Sequence, residues 1–191
     1  MDEAFQSDYK TRGPRWAGGV VLPELTPGSR VLETGCGNGK TLSAFRDVTV
    51  LGIDISPEAV RLAGPEKAVC GDIRRLPFKD ASFDSVFSWH VLGHLKKEGR
   101  MQAASELLRV TRPGGSVFFK GFSINDFRCG KGELVEDHSY LRGDGIMTHY
   151  FTEEELTGLF GKGEVSQHSW VMKVRGVTYI RSELIGVYLV R

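Results

Sequence analysis

The stretch Arg30-Val31-Leu32-Glu33-Thr34-Gly35-Cys36-Gly37-Asn38-Gly39 constrains this chain more than any other. A short β-branched and aliphatic run ends in an acid, and three glycines follow at alternate positions. The pattern predicts a strand that turns sharply into a helix, here expected over Thr41 to Arg46. At such a junction backbone N–H groups and a helix N-terminus converge, which makes an anion site. Glycine there allows left-handed backbone and close approach of a ligand. The dinucleotide fingerprint needs G-x-G-x-x-G, whereas the spacing here is G-x-G-x-G. The phosphate-binding P-loop needs G-x-x-x-x-G-K-[ST]; Gly39-Lys40-Thr41 fits its end, but Thr34 stands where its first glycine belongs.

The rest of the chain repeats the strand–helix rhythm. Strands are expected at Val48 to Ile53, Ala68 to Cys70, Phe83 to Ser88 and Ser116 to Phe122. Ser56-Pro57-Glu58 opens a helix, with Ser as N-cap and Pro at the first helical position. Met101 to Val110 has helical periodicity through Met101, Ala104, Leu107 and Leu108. Val20 to Leu25 reads as the end of a short helix, and Arg112-Pro113-Gly114-Gly115 as a turn. Alternating elements imply a parallel sheet covered on both faces. Ser123 to Thr148 breaks the rhythm: it is polar, glycine-containing and long enough to call for a function. Thr152-Glu153-Glu154-Glu155 is a capping box, and Val165 to Val174 with Leu184 to Val190 read as a closing hairpin. The 191 residues suit one domain. It divides into an arm or cap (1–27), a core (28–122), a lid loop over the substrate (123–148), and a C-terminal helix and hairpin (149–191).

Further residues fit the same frame. Asp54 ends the second strand, where a carboxylate can accept both hydroxyls of a ribose. Taken in order, the glycine turn, Asp54, the stretch Gly71 to Phe78 with Ser82-Phe83-Asp84, and Arg112-Pro113-Gly114-Gly115 resemble class I S-adenosylmethionine-dependent methyltransferases, of the type 11-like domain. The resemblance spans about Val31 to Phe122. It implies a Rossmann-like sheet of order 3-2-1-4-5-7-6 with strand seven antiparallel. It also implies S-adenosyl-L-methionine as methyl donor. Gly35, Cys36, Gly37 and Gly39 would pass close to the methionine part, and Glu33 would balance its positive end. Asp54 would hold the ribose, with Ile55 on the adenine face. Asp72 and Ile73 would read the adenine edge, and Ser88 would offer backbone contacts.

Ser88-Trp89-His90 follows the fourth strand, at the switch point where open α/β sheets bind ligands. In the resembling family this spot faces the methyl acceptor, so His90 is the candidate general base. His90 and His94 lack the intervening glutamate of a zinc helix, and no metal is expected. Tyr9, Arg12, Arg15 and Trp16 form an aromatic–basic arm, and His138, His149 and Tyr150 are acceptor-pocket candidates.

Twenty-five basic against twenty-four acidic residues leave a net charge of +1. That balance gives no global field for nucleic acid. A small-molecule acceptor is therefore the expected partner. RNA is the second choice, because Gly37-Asn38-Gly39-Lys40, His94-Leu95 and Arg112 to Gly115 also look like tRNA wobble-uridine methyltransferases. A P-loop-like nucleotide-binding protein and a non-catalytic cofactor-binding module stay open as other classes. Three scattered cysteines without a CxxC pair, no apolar leader and no long apolar run point to a reduced, cytoplasmic setting with no membrane partner.

Overall fold

A computed structural model describes residues 19–143 and 145–191. Seven strands form one sheet in the order β3-β2-β1-β4-β5-β10-β9. They are β1 (Arg30–Thr34), β2 (Thr49–Asp54), β3 (Ala68–Cys70), β4 (Phe83–Trp89), β5 (Thr111–Phe122), β9 (Glu164–Val174) and β10 (Val177–Leu189). β1 to β5 run parallel, and β10 pairs antiparallel with both β5 and β9. This is the expected order, with β9 and β10 as the sixth and seventh strands.

Among the described residues, three helices lie against the sheet: α1 (Pro57–Ala63), α2 (Lys97–Val110) and α3 (Glu153–Phe160). The hydroxyl of Ser56 accepts from the N–H of Ala59, and that of Thr152 from the N–H of Glu155. Both predicted N-caps are therefore in use. In α2 the buried stripe is Arg100, Ala103, Ala104, Leu107 and Val110. The predicted stripe is displaced by one position, since Met101 faces solvent. The main core joins this stripe to Leu32, Val86, Val117, Phe119, Phe151, Leu156 and Tyr188, between the sheet and the α2–α3 pair. A smaller cluster on the opposite face gathers Val31, Phe45 and Phe87, with Trp89, Phe118, Leu22 and Leu25 at its border.

Four local expectations are corrected. Val20 to Leu25 is not helical. The helix expected over 41–46 is only a 3₁₀ turn, Leu42–Ala44. Phe45 there turns extended and drives its ring against Phe87, centroids 5.1 Å apart. Burying that ring ends the helix after one turn, and Arg46 donates to the carbonyl oxygens of Ser43 and Phe45. The turn at 112–115 is a bulge within one long strand, across which the partner of β4 jumps from Thr111 to Ser116.

The fourth correction is the largest. The segment 123–148 is structured: β6 (Glu133–Glu136), β7 (Ser139–Leu141) and β8 (Met147–His149) form a separate antiparallel sheet. Buried Arg100 of α2 fixes it in place, meeting Glu136 at 2.6 Å and Glu155 of α3 at 2.9 Å. Glu155 also contacts His149 Nε2 at 2.6 Å, and His149 Nδ1 lies 2.8 Å from the Ser139 hydroxyl. His138 sits beside this sheet with an exposed aspartate neighbour, so of the predicted pocket histidines His149 is structural. The aromatic–basic arm Tyr9, Arg12, Arg15 and Trp16 lies outside the described residues.

Candidate active site

The carboxyl ends of β1, β2 and β4 meet at the centre of the sheet, where parallel strands leave a crevice. Glu33 and Thr34 close β1, and Thr34 donates its hydroxyl to the Phe87 carbonyl of β4 at 3.0 Å. The chain then turns back: the N–H of Cys36 donates to Ile53 O of β2 at 3.1 Å. Gly35 has φ +62°, and a Cβ there would lie 2.1 Å from Val91 Cγ2. Gly39 has φ +77°, and its Cβ would lie 2.9 Å from the Ala63 Cα of α1. These two glycines let neighbouring protein, not only a ligand, press on the turn. Cys36 is buried beneath it, and burial pushes its thiol far up. It packs with Leu42 and Ala68, as an inert core thiol does.

Asp54 organises the turn from β2. Its Oδ2 accepts from Gly37 N and its Oδ1 from Ser56 N, each at 2.9 Å. Burial raises its pKa, and these backbone donors oppose the rise. The backbone N–H of Ile55 also bonds this carboxylate, so three backbone donors share its two oxygens and some acceptor capacity is left for a hydroxyl. Glu33 is more deeply buried, at 4% exposure. Burial pushes its carboxyl from 4.5 to about 8, with a hydrogen bond from Thr41 as the main counterweight. Its Oε2 is buried and has no partner, and neither has the buried Ser88 hydroxyl. The register pairs Glu33 with Phe87 and Ser88 with Thr34, so the two orphaned atoms lie on opposite faces of the sheet at neighbouring strand ends. Each leaves an unmet hydrogen bond that a polar or cationic ligand would satisfy.

Asp72 follows β3 and is engaged by Arg74, whose Nη2 approaches to 2.5 Å and holds the carboxyl below its usual range. Its side chain remains one-third exposed. Ile73 is buried in the main core. Ile55 follows Asp54 and its carbonyl faces the thiol of Cys70 at 3.6 Å.

His90 stands past the end of β4, in left-handed backbone at φ 59°. Its ring lies 4.5 Å from Phe122 of β5, and its Nε2 3.0 Å from Glu183 Oε2. Its Nδ1 is buried without a partner. Burial alone would raise Glu183. The hydrogen bond and charge of His90, together with Lys120, outweigh burial and hold it below the usual carboxylate range. His168 Nδ1 lies 3.5 Å from the other oxygen of Glu183. Glu183, Phe122 and His168 did not emerge from the sequence reading, because Glu183 lies more than ninety residues from His90 and only the pairing of β10 with β5 and β9 unites them.

A model of the methyltransferase domain matches residues 32–119, the segment that builds this crevice. A solved S-adenosylmethionine-dependent methyltransferase of Methanosarcina mazei is 26% identical, covers 87% of this chain and 95% of that one, and superposes with a TM-score of 0.69. A tRNA N(3)-methylcytidine methyltransferase of Drosophila melanogaster is 28% identical over 81% of this chain and 57% of that protein. Its counterpart from Schizosaccharomyces pombe is 25% identical over 74% of this chain and 53% of that protein. The chain spans little more than half the length of these two relatives. Their substrates overturn the expectation of a small-molecule acceptor. That expectation rested on net charge, which sums over the whole surface and is blind to where the charges sit.

Proposed function

We propose that this chain, a member of the S-adenosylmethionine-dependent methyltransferase family, methylates a base in tRNA. The relatives that act on tRNA across most of this chain's length carry the reading of the acceptor. They make N3 of a cytidine the first position to look for.

S-adenosylmethionine, when bound, supplies a methyl group already activated by its sulfonium. The protein's task is then to hold donor and acceptor in line and to exclude water. The residues present fit that donor. The orphaned Glu33 carboxyl suits the cationic methionine end, and Gly35, Cys36, Gly37 and Gly39 form the turn beside it. The Asp54 carboxylate, held by backbone donors at the end of β2, suits the ribose hydroxyls. Asp72, Ile73 and Ile55 would border the adenine, and Ser88 would meet the donor from β4.

On the acceptor side, Glu183 orients His90 by binding Nε2, which leaves Nδ1 to face a substrate proton or hydrogen-bond partner. A cytidine N3 attacks with a lone pair and needs no base. For such an acceptor His90 positions the ring, and Phe122 offers an aromatic face beside it. The three-stranded sheet of residues 133–149 borders this side and would limit access as a fixed wall.

The test is transfer of labelled methyl from S-adenosylmethionine to unfractionated tRNA, followed by digestion and mass spectrometry of the nucleosides. A methylated base, 3-methylcytidine first among them, supports the proposal. No label in tRNA from any source, with S-adenosylhomocysteine bound normally, refutes it.

A further inference from the structure

Three arginines on the acceptor side take no part in the chemistry above: Arg128, Arg142 and Arg181. Arg181 lies in β10 two positions before Glu183, hence on the same face of the sheet. It is only 5% exposed. Its guanidinium lies 4.3 Å from the centre of the Phe122 ring and 5.5 Å from that of Trp170. Nε donates to Asp126 Oδ2 at 2.6 Å, but Nη2 is buried with no partner.

Asp126 is the carboxylate within this cluster, and its oxygens are well used. Oδ2 also accepts from Ser182 N at 3.0 Å, and Oδ1 accepts from Arg128 N at 3.0 Å. The side chain of Arg128 is half-buried. Burial and the like charges of Arg181 and Arg142 lower its pKa, while Asp126 opposes them. Arg142 also hydrogen-bonds the buried Tyr150. Arg181 and Arg128 thus lie beside one carboxylate, the charge of Arg142 bears on Arg128, and the Nη2 donor of Arg181 has no acceptor. A buried unpaired donor is costly, and crowded like charges repel. An oxyanion relieves both at once, and guanidinium geometry suits the paired oxygens of phosphate or carboxylate. Phe122 lies between this cluster and His90, in contact with both.

We propose that Arg128, Arg142 and Arg181 form an oxyanion-binding site, one aromatic ring away from His90, that takes a negatively charged group of the acceptor. That group is a backbone phosphate or a carboxylate on a base. The identity of the acceptor rests on the tRNA reading above; the anion site itself does not.

The test uses the full chain saturated with S-adenosylhomocysteine. Phosphorus NMR follows inorganic phosphate titrated into the wild type, Arg128→Gln and Arg142→Gln. Neither variant removes the deeply buried Arg181, and the Arg128 change keeps the backbone donor to Asp126. Phosphate binding that weakens about tenfold or more in each variant, with S-adenosylhomocysteine affinity unchanged, supports the site. A second arm compares a cytidine trinucleotide with the nucleoside uridine-5-acetic acid. Variant-sensitive binding of the trinucleotide assigns a backbone phosphate, and variant-sensitive binding of the nucleoside assigns a base carboxylate. Absence of binding by all three probes, or binding that both variants leave unchanged, overturns the proposal. Unaltered KM for tRNA in both variants overturns it too, while leaving tRNA methylation standing. Variant-sensitive phosphate binding in a protein that methylates no tRNA keeps the site and removes the tRNA reading.

Discussion

Glu33 couples the proposed donor site to pH in a way that can be measured directly. In the free protein burial raises its carboxyl from 4.5 to about 8. At pH 7 only about one molecule in ten carries the charge. Between pH 4.5 and 8 the folded chain keeps a proton that the unfolded chain has lost. Stability therefore falls as pH rises through that window, by about 1.4 kcal/mol per pH unit at most, and levels off above 8. The full loss is on the order of 5 kcal/mol, and Glu33→Gln should abolish it. A cationic ligand end beside Glu33 favours the charged form, so binding expels the proton. Affinity for S-adenosylhomocysteine, which keeps the amine, should then rise about tenfold from pH 6 to pH 7. Calorimetry at pH 7 in buffers of differing ionisation enthalpy should detect close to one proton released. Glu33→Gln should remove both the slope and the released proton, leaving any residue that Asp54 contributes. Wild-type affinity that is flat between pH 6 and 7, with no proton released, would refute the coupling and take Glu33 away from the cationic end.

Other perturbations test separate parts of the fold and site. Asp54→Ala should weaken S-adenosylhomocysteine by a few kcal/mol, because charge-assisted bonds to hydroxyls are lost and Gly37 N loses its acceptor; titration calorimetry on the folded variant gives the answer, and unchanged affinity excludes Asp54 from the site. Arg100→Met should cost about 3–5 kcal/mol in chemical denaturation, since it strands Glu136 and Glu155 beside a buried position; a loss below about 1 kcal/mol would mean the small sheet is held some other way. Gly35→Ala should destabilise by about 1–3 kcal/mol through its left-handed backbone and the collision with Val91. Adding Val91→Ala should recover only the collision, so a double-mutant cycle showing no coupling would contradict the packing described. Leu107→Ala should cost about 2–5 kcal/mol from its fully buried place in the main core, with donor affinity unchanged in whatever fraction stays folded.

The sequence by itself determined the elements whose causes are local. Ser56 and Thr152 start helices because a hydroxyl can accept a nearby N–H, and that is readable within four residues. The alternation of strand and helix implied a parallel sheet covered on both faces, while its strand order was legible only through the family resemblance of the ordered motifs. The glycine turn and Asp54 marked the crevice because both sit at strand ends that a parallel sheet brings together. The short polar strands at 133–149 gave no such signal, since their pairing depends on buried Arg100 from α2 and on Glu155 from α3. The helix expected at 41–46 yielded to the burial of Phe45, a tertiary gain larger than local propensity. Only the tertiary structure decided that Glu183 meets His90, and that Arg128 and Arg181 gather at Asp126 with the charge of Arg142 near Arg128. Those meetings are set by the antiparallel register of β10 against β5 and β9, across separations where sequence patterns carry no distance information. For the same reason a net charge near zero concealed a concentrated positive cluster: composition adds charges up, and folding decides which of them become neighbours.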